Sequence, residues 1–371
     1  SLGSGWPEQH RDLLLAACAP VEAATAAWQR WSSGFSVEML HKLDLGAARL
    51  LAQVSARLHR IGVRDALLAR AFSVYRHTWC TNELRLHHLA EPLDALEKAG
   101  IDVLALKGLA LLAGVYADVG LRPMYDVDLL VHASDLTTAT CVLGELGWKF
   151  TSGESPSTTA VRPLPHHYSL QLRRDQLELD LHWHALRRDS SAVFDEIVWK
   201  YATTKVMSGS SIRCPQATEL LIIVCIHGIA WNVVPSTLWA ADAHRIITLG
   251  DAIDWDRFVA TVTTRRLTLP IYDGLRFLTT VLNANVPHRV LEALGRASIW
   301  EVETLEYAGM TRRFTHSRIN ERWAARYMMS AREADDLATA AHLGTTPHDH
   351  RTTTGDGALP PHSFLHGGAP R

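Results

Sequence analysis

The segment "RPMYDVDLLV" (residues 122–131) sets two aspartates, Asp126 and Asp128, one residue apart in an apolar run that otherwise reads as a buried strand. Alternation along a strand projects both carboxylates to one face and Val127 and Leu129 to the other. Carboxylates are costly to bury without partners, and two ionised groups side by side repel. The remedies are a shared proton or a hard divalent cation with oxygen ligands, and the cation is the simpler one.

A second strand pattern, "LELDLHW", puts Asp180 on one face with Glu178 and His182. If that strand lies beside the strand of Asp126, a third carboxylate converges on the same point, giving the acidic set of a two-metal phosphoryl or nucleotidyl transfer site. "LALKGLALLAG" supplies a place for the opposite charge: a strand ends at Lys107 and Gly108 and a helix begins there. Backbone amides at a helix start, with a glycine that allows close approach, form a seat for anionic phosphate. Lys107 adds a full charge, and Arg122 can clamp a phosphate oxygen in forked geometry. Bland readings stand beside these. Lys107 could cap a strand end, Arg122 could pair with Asp118, and His182 could be a structural hydrogen-bonding histidine instead of orienting an acceptor.

These residues need elements to position them. Helical spacing runs through residues 7–31 and 36–99, with a glycine in "LHRIGVRD" ending one helix, Asp65 starting the next and Gly100 closing the region. The period then changes. "IDVLAL" and "YDVDLLV" read as strands around the helix "KGLALLAGVYA", "ASDLTTATCVLGELGW" as a helix capped by Ser134 or Asp135, and "HYSLQLRRDQLELDLHWHAL" as a hairpin. Helical spacing returns from about residue 217. The expected fold class is α+β: a small mixed sheet core flanked by N-terminal and C-terminal helical regions. The divisions are residues 6–100, 101–215 and 216–342, followed by a flexible tail at 343–371 with little apolar pattern and several histidines.

Together "LKG", "YADVGLRPMYDVDLLV", "ELDLHW" and "CIHGIAW...LWAADA" resemble the bacterial uncharacterised nucleotidyltransferase family, a branch of the DNA polymerase beta-like nucleotidyltransferase superfamily. The likeness spans roughly residues 35–285 and is far more specific than a lone Asp-x-Asp. It implies that Asp126 and Asp128 are the metal-binding pair, Asp180 the third carboxylate and Gly108 the glycine of the phosphate turn. His227, Trp239 and Asp242 fall at positions resembling recurrent ones in the family, where they could close a pocket or simply pack. The chain departs from the wider superfamily in having Lys107-Gly108 where Gly-Gly or Gly-Ser is usual.

The expected activity is transfer of a nucleoside monophosphate from an NTP co-substrate to a small-molecule or peptide acceptor, using Mg²⁺ or Mn²⁺. Two rivals are a sugar-nucleotide-dependent glycosyltransferase, which also uses Asp-x-Asp, and a non-catalytic nucleotide-binding regulator. With Lys plus Arg 37 against Asp plus Glu 39, the net charge of -2 gives no field that favours nucleic acid or an anionic membrane. The longest apolar runs are too short or too interrupted to span a bilayer. Cys18, Cys80, Cys141, Cys214 and Cys225 are scattered and odd in number, which fits reduced thiols in a cytoplasmic protein. "SLGSG" reads as a cloning remnant, with no secretory segment expected.

Overall fold

The computed structural model describes residues 8–151, 167–186, 192–207, 209–229, 237–249 and 252–311. The histidine-bearing tail at 343–371 lies outside these residues. The N-terminal helical region is α1 (Glu8–Cys18), α2 (Val21–Ser33), a 3-10 turn at Val37–Lys42, α3 (Leu45–Arg60) and the long α4 (Ala66–Lys98). Local chemistry sets these boundaries. The carboxylates of Asp44 and Asp65 accept hydrogen bonds from the amides of Ala47 and Leu68, which would otherwise be orphaned at the starts of α3 and α4. Gly62 and Gly100 take left-handed φ values of 93° and 75° just beyond the two helix ends.

The sheet follows: β1 (Leu104–Ala105), α5 (Lys107–Gly114), a 3-10 turn at Val119–Leu121, β2 (Val127–Leu130), α6 (Leu136–Glu145), β3 (Lys149–Phe150), β4 (Ser169–Arg174) and β5 (Leu177–His182). After α7 (Ala192–Lys200), β6 (Thr203–Met207) and β7 (Ser210–Cys214) form a hairpin on the far edge, two strands that the apolar pattern did not single out. Their burial shows why: β6 alternates between partly covered and exposed positions, so no apolar face marks it. The seven strands lie in the order β3-β4-β5-β2-β1-β7-β6. β4 and β5 form the expected antiparallel hairpin, and β2 pairs β5 in parallel. The protein is therefore α+β, with helices packed on a mixed sheet.

The helix expected from residue 134 begins as a 3-10 turn, and no side chain caps α6. The C-terminal helices are α8 (Ala217–Ile229), α9 (Leu238–Leu249), α10 (Trp255–Thr264), α11 (Thr268–Leu282), α12 (His288–Arg296) and α13 (Glu301–Thr311). One apolar cluster is continuous from Leu13 on α1 through Leu129 and Leu181 in the sheet to Leu294 on α12. No helix among the described residues is long and apolar enough to cross a membrane. All five cysteines are free thiols.

Candidate active site

The central pairing of the sheet makes the site. In the parallel ladder Val127 stands opposite Leu179 and Asp128 opposite Asp180, while Leu129 faces Leu181 and Leu130 faces His182. Alternation along the paired strands puts Val127, Leu129, Leu179 and Leu181 on one face and Asp128, Leu130, Asp180 and His182 on the other. One ligand atom from each of Asp128, Asp180 and His182 lies within 4.8 Å of the others, and all three side chains are buried. Asp126 stands outside this group. It precedes the paired part of β2 and is only partly covered.

The Lys107 ammonium donates to Asp128 Oδ1 at 2.6 Å, and His182 Nε2 lies 3.0 Å from the same oxygen. Burial opposes ionisation of Asp128, but the His182 hydrogen bond and the Lys107 charge outweigh it and hold the carboxyl well below the usual range. Asp126 and Asp180 shift the other way. Burial raises both, and repulsion from Asp128 adds to it. The cluster thus has more negative charge than Lys107 compensates, and hard oxygens beside one imidazole are a donor set that fits a divalent cation such as Mn²⁺ or Mg²⁺.

Lys107 itself opens α5 in a left-handed conformation, φ 40°, a strained position for a side-chain-bearing residue. The Leu106 amide donates to the Asp128 carbonyl at 2.9 Å, so the turn is tied to the acidic strand. No side chain caps α5, which leaves its first amides without an intrahelical partner. Burial alone would lower the Lys107 pKa; the Asp128 charge and hydrogen bond raise it instead. The phosphate contact expected of Lys107 is here a carboxylate contact, because the buried Asp128 needs a counter-charge.

Arg122 is also engaged elsewhere. Its guanidinium forks onto Asp242 of α9 through Nε at 3.0 Å to Oδ1 and Nη2 at 3.0 Å to Oδ2. The Tyr116 hydroxyl donates to the same carboxylate at 2.8 Å. Asp118, the alternative partner for Arg122, instead accepts from the Tyr75 hydroxyl and the Gly120 amide. Arg122 nevertheless packs at the start of α5: a Cβ on Gly108 would come within 2.8 Å of Arg122 Nη1 and 3.1 Å of Met124 Cγ. Gly108→Ala is therefore expected to push this packing apart and raise the KM for NTP about tenfold, equivalent to about 1.4 kcal/mol of lost binding. Steady-state kinetics on folded variant check this; an unchanged KM separates the glycine from nucleotide binding.

Sequence reasoning missed Asn82. Its Nδ2 donates to the carbonyls of Val119 at 2.7 Å and Arg122 at 2.8 Å, so α4 clamps the segment that delivers Asp126 and Asp128. A polar residue facing inward on a helix was the available signal. Arg85, also on α4, feels the charges of Tyr125, Asp126 and Glu178. His227 on α8 is reachable by solvent yet crowded; burial and the charge of Lys107 push its pKa down to about 4. Trp239 packs in the core against Gly228 and Phe277.

A mixed sheet that carries acidic residues on neighbouring central strands, beside an uncapped helix start, has the layout of a nucleotidyltransferase. The sequence model of a family described as uncharacterised nucleotidyltransferase matches residues 45–283, and the chain belongs to that family. Among solved structures, the antibiotic-resistance factor ANT(2'')-Ia is 12% identical, with 72% of this chain and 99% of that one covered at a TM-score of 0.26. An antigenic nucleotidyltransferase-like protein from Paracoccidioides brasiliensis is 16% identical, with 56% and 91% covered at a TM-score of 0.31. Both likenesses are too distant to inform mechanism. No curated protein matches the chain.

Proposed function

We propose that the protein transfers a nucleoside monophosphate from an NTP to a hydroxyl or phosphate oxygen of a small-molecule or peptide acceptor, releasing pyrophosphate. The observation that carries this reading is the side-by-side register of Asp128 and Asp180, with His182 on the same face, next to the α5 start. Asp128 and Asp180, with His182 beside them, would hold the divalent cation, and Asp126, just ahead of the paired strand, would join them. A cation held there would supply Lewis-acid stabilisation of the triphosphate charge.

The chain's own residues supply the rest. The acceptor oxygen forms a bond to the α-phosphorus while the bond to the pyrophosphate oxygen breaks, so positioning and charge suffice without a covalent enzyme intermediate. Asp180, directly opposite Asp128 in the ladder, would assist deprotonation of the acceptor hydroxyl. Lys107, at the start of α5 with its ammonium 2.6 Å from Asp128 Oδ1, would add a positive charge beside phosphates seated on the α5 amides. The near-neutral net charge favours a small acceptor over a long RNA.

A screen of acceptors with labelled NTPs, magnesium or manganese, and a pyrophosphate-release readout tests the proposal. Wild-type protein is expected to transfer label, and Asp126→Asn to reduce transfer on the order of a hundredfold while remaining folded. Binding of metal-nucleotide without turnover across the screen would support a regulator instead. Sugar added to an acceptor without nucleotide would point to glycosyl transfer. Equal transfer by wild type and variant would remove Asp126 from the mechanism.

A further inference from the structure

We propose that the chain has a second anion site, distinct from the carboxylate cluster, in a cavity of about 230 Å³ between α1, α3 and α9, and that it takes a small phosphorylated anion. Gln53, Arg57 and Arg60 reach it from one face of α3, His244 and Arg245 from α9, and Leu121 closes it on the side of the sheet. Three guanidiniums line the cavity and no carboxylate does.

Arg57 and Arg245 are held in place without being neutralised. Arg57 donates to the carbonyls of Ala16 and Ala19 at the end of α1, which fixes its plane but leaves its charge uncompensated. The Arg245 guanidinium lies 4.7 Å over the Tyr116 ring, and its buried Nε has no hydrogen-bond partner. Arg60 stands exposed at the mouth with no ion pair among the described residues. Asp242, on α9 with His244 and Arg245, is already shared between Arg122 and Tyr116. The clustering of like charge is visible in its effects: burial and then Arg57 and Arg245 lower the pKa of His244, and burial followed by Arg245 lowers that of Arg57.

Cations gathered in a partly buried space without counter-charge are held against repulsion, and an anion relieves it. Guanidinium forks match the oxygens of phosphate. The volume lies below the roughly 300–1,000 Å³ of drug-sized pockets, so the occupant is small. A chain of contacts links the cavity to the start of α5: Arg245 stacks over Tyr116, Tyr116 and Arg122 share Asp242, and Arg122 packs near Gly108.

Calorimetric titration of inorganic phosphate and of pyrophosphate into the full chain, in EDTA so that cation-dependent binding is removed, tests this. Saturable binding is expected in wild type, weakened about tenfold or more by Arg245→Gln and by Arg60→Gln and unchanged by Asp180→Asn. Arg60 is exposed, so its variant is expected to fold and keeps the test decisive. Citrate serves as the carboxylate arm: citrate bound in preference to phosphate overturns the ligand class. Absence of saturable binding, or binding indifferent to both arginine variants, overturns the site. Because no nucleotide or metal is present, the result is independent of whether the chain proves to transfer NMP.

Discussion

Asp128→Asn is expected to lower nucleotidyl transfer on the order of a thousandfold and at the same time to destabilise the fold. Both effects come from one oxygen. Asp128 Oδ1 accepts from Lys107 at 2.6 Å and lies 3.0 Å from His182 Nε2, on a side chain that is almost fully buried. Asparagine keeps the shape but removes the charge that a cation needs, so turnover falls. It also leaves the Lys107 ammonium, 14% exposed, without its counter-charge beside a strained turn. The destabilisation is expected to be about 2–4 kcal/mol, somewhat less than for a fully enclosed pair because Lys107 can turn toward solvent.

The double variant Asp128→Asn, Lys107→Met separates the two effects: stability recovers in chemical denaturation while transfer stays lost. Recovery of transfer would show that Asp128 serves Lys107 alone. The pH dependence has a definite sign. The folded pKa of Asp128 is depressed, so its contribution is full above the ordinary carboxylate range, near 4, and is lost as pH falls toward the folded value. The Asn variant lacks that part of the acid transition. Asp126 and Asp180, raised by burial and by Asp128, oppose folding once ionised, and acidification through their raised values relieves them.

The acidic set was legible in the sequence because strand alternation is rigid: a period of two puts Asp180 and His182 on one face whatever the context. What the pattern left open was register, and the parallel pairing of β2 with β5 resolves it by setting Asp128 opposite Asp180. The same pairing leaves Asp126 ahead of the ladder, which alternation alone did not show. The basic residues were less legible. Long flexible side chains reach any of several partners, so Lys107 turned to Asp128 and Arg122 to Asp242, 120 positions away in the chain. Asn82 gave only the weak signal of a polar residue on an inward helix face, because its partners are backbone carbonyls, which no sequence pattern marks.

Asp242→Ala is expected to be the most destabilising single change away from the carboxylate cluster, costing about 3–5 kcal/mol. The Asp242 side chain is 3% exposed and that of Arg122 12%, so the substitution strands a guanidinium in a space that offers it only the Pro123 carbonyl at 3.3 Å. Burial would lower the Arg122 pKa, and the Asp242 charge and hydrogen bond lead the interactions that raise it instead. The Tyr116 hydroxyl loses its acceptor as well. Replacing both ends with apolar residues, Arg122→Met with Asp242→Leu, removes the unpaired charge and is expected to return most of the stability in urea denaturation. It does not return the forked group that packs on Gly108, so the KM for NTP stays raised in the stable double variant. A single variant that loses under 1 kcal/mol would mean that water already reaches Arg122 and compensates it.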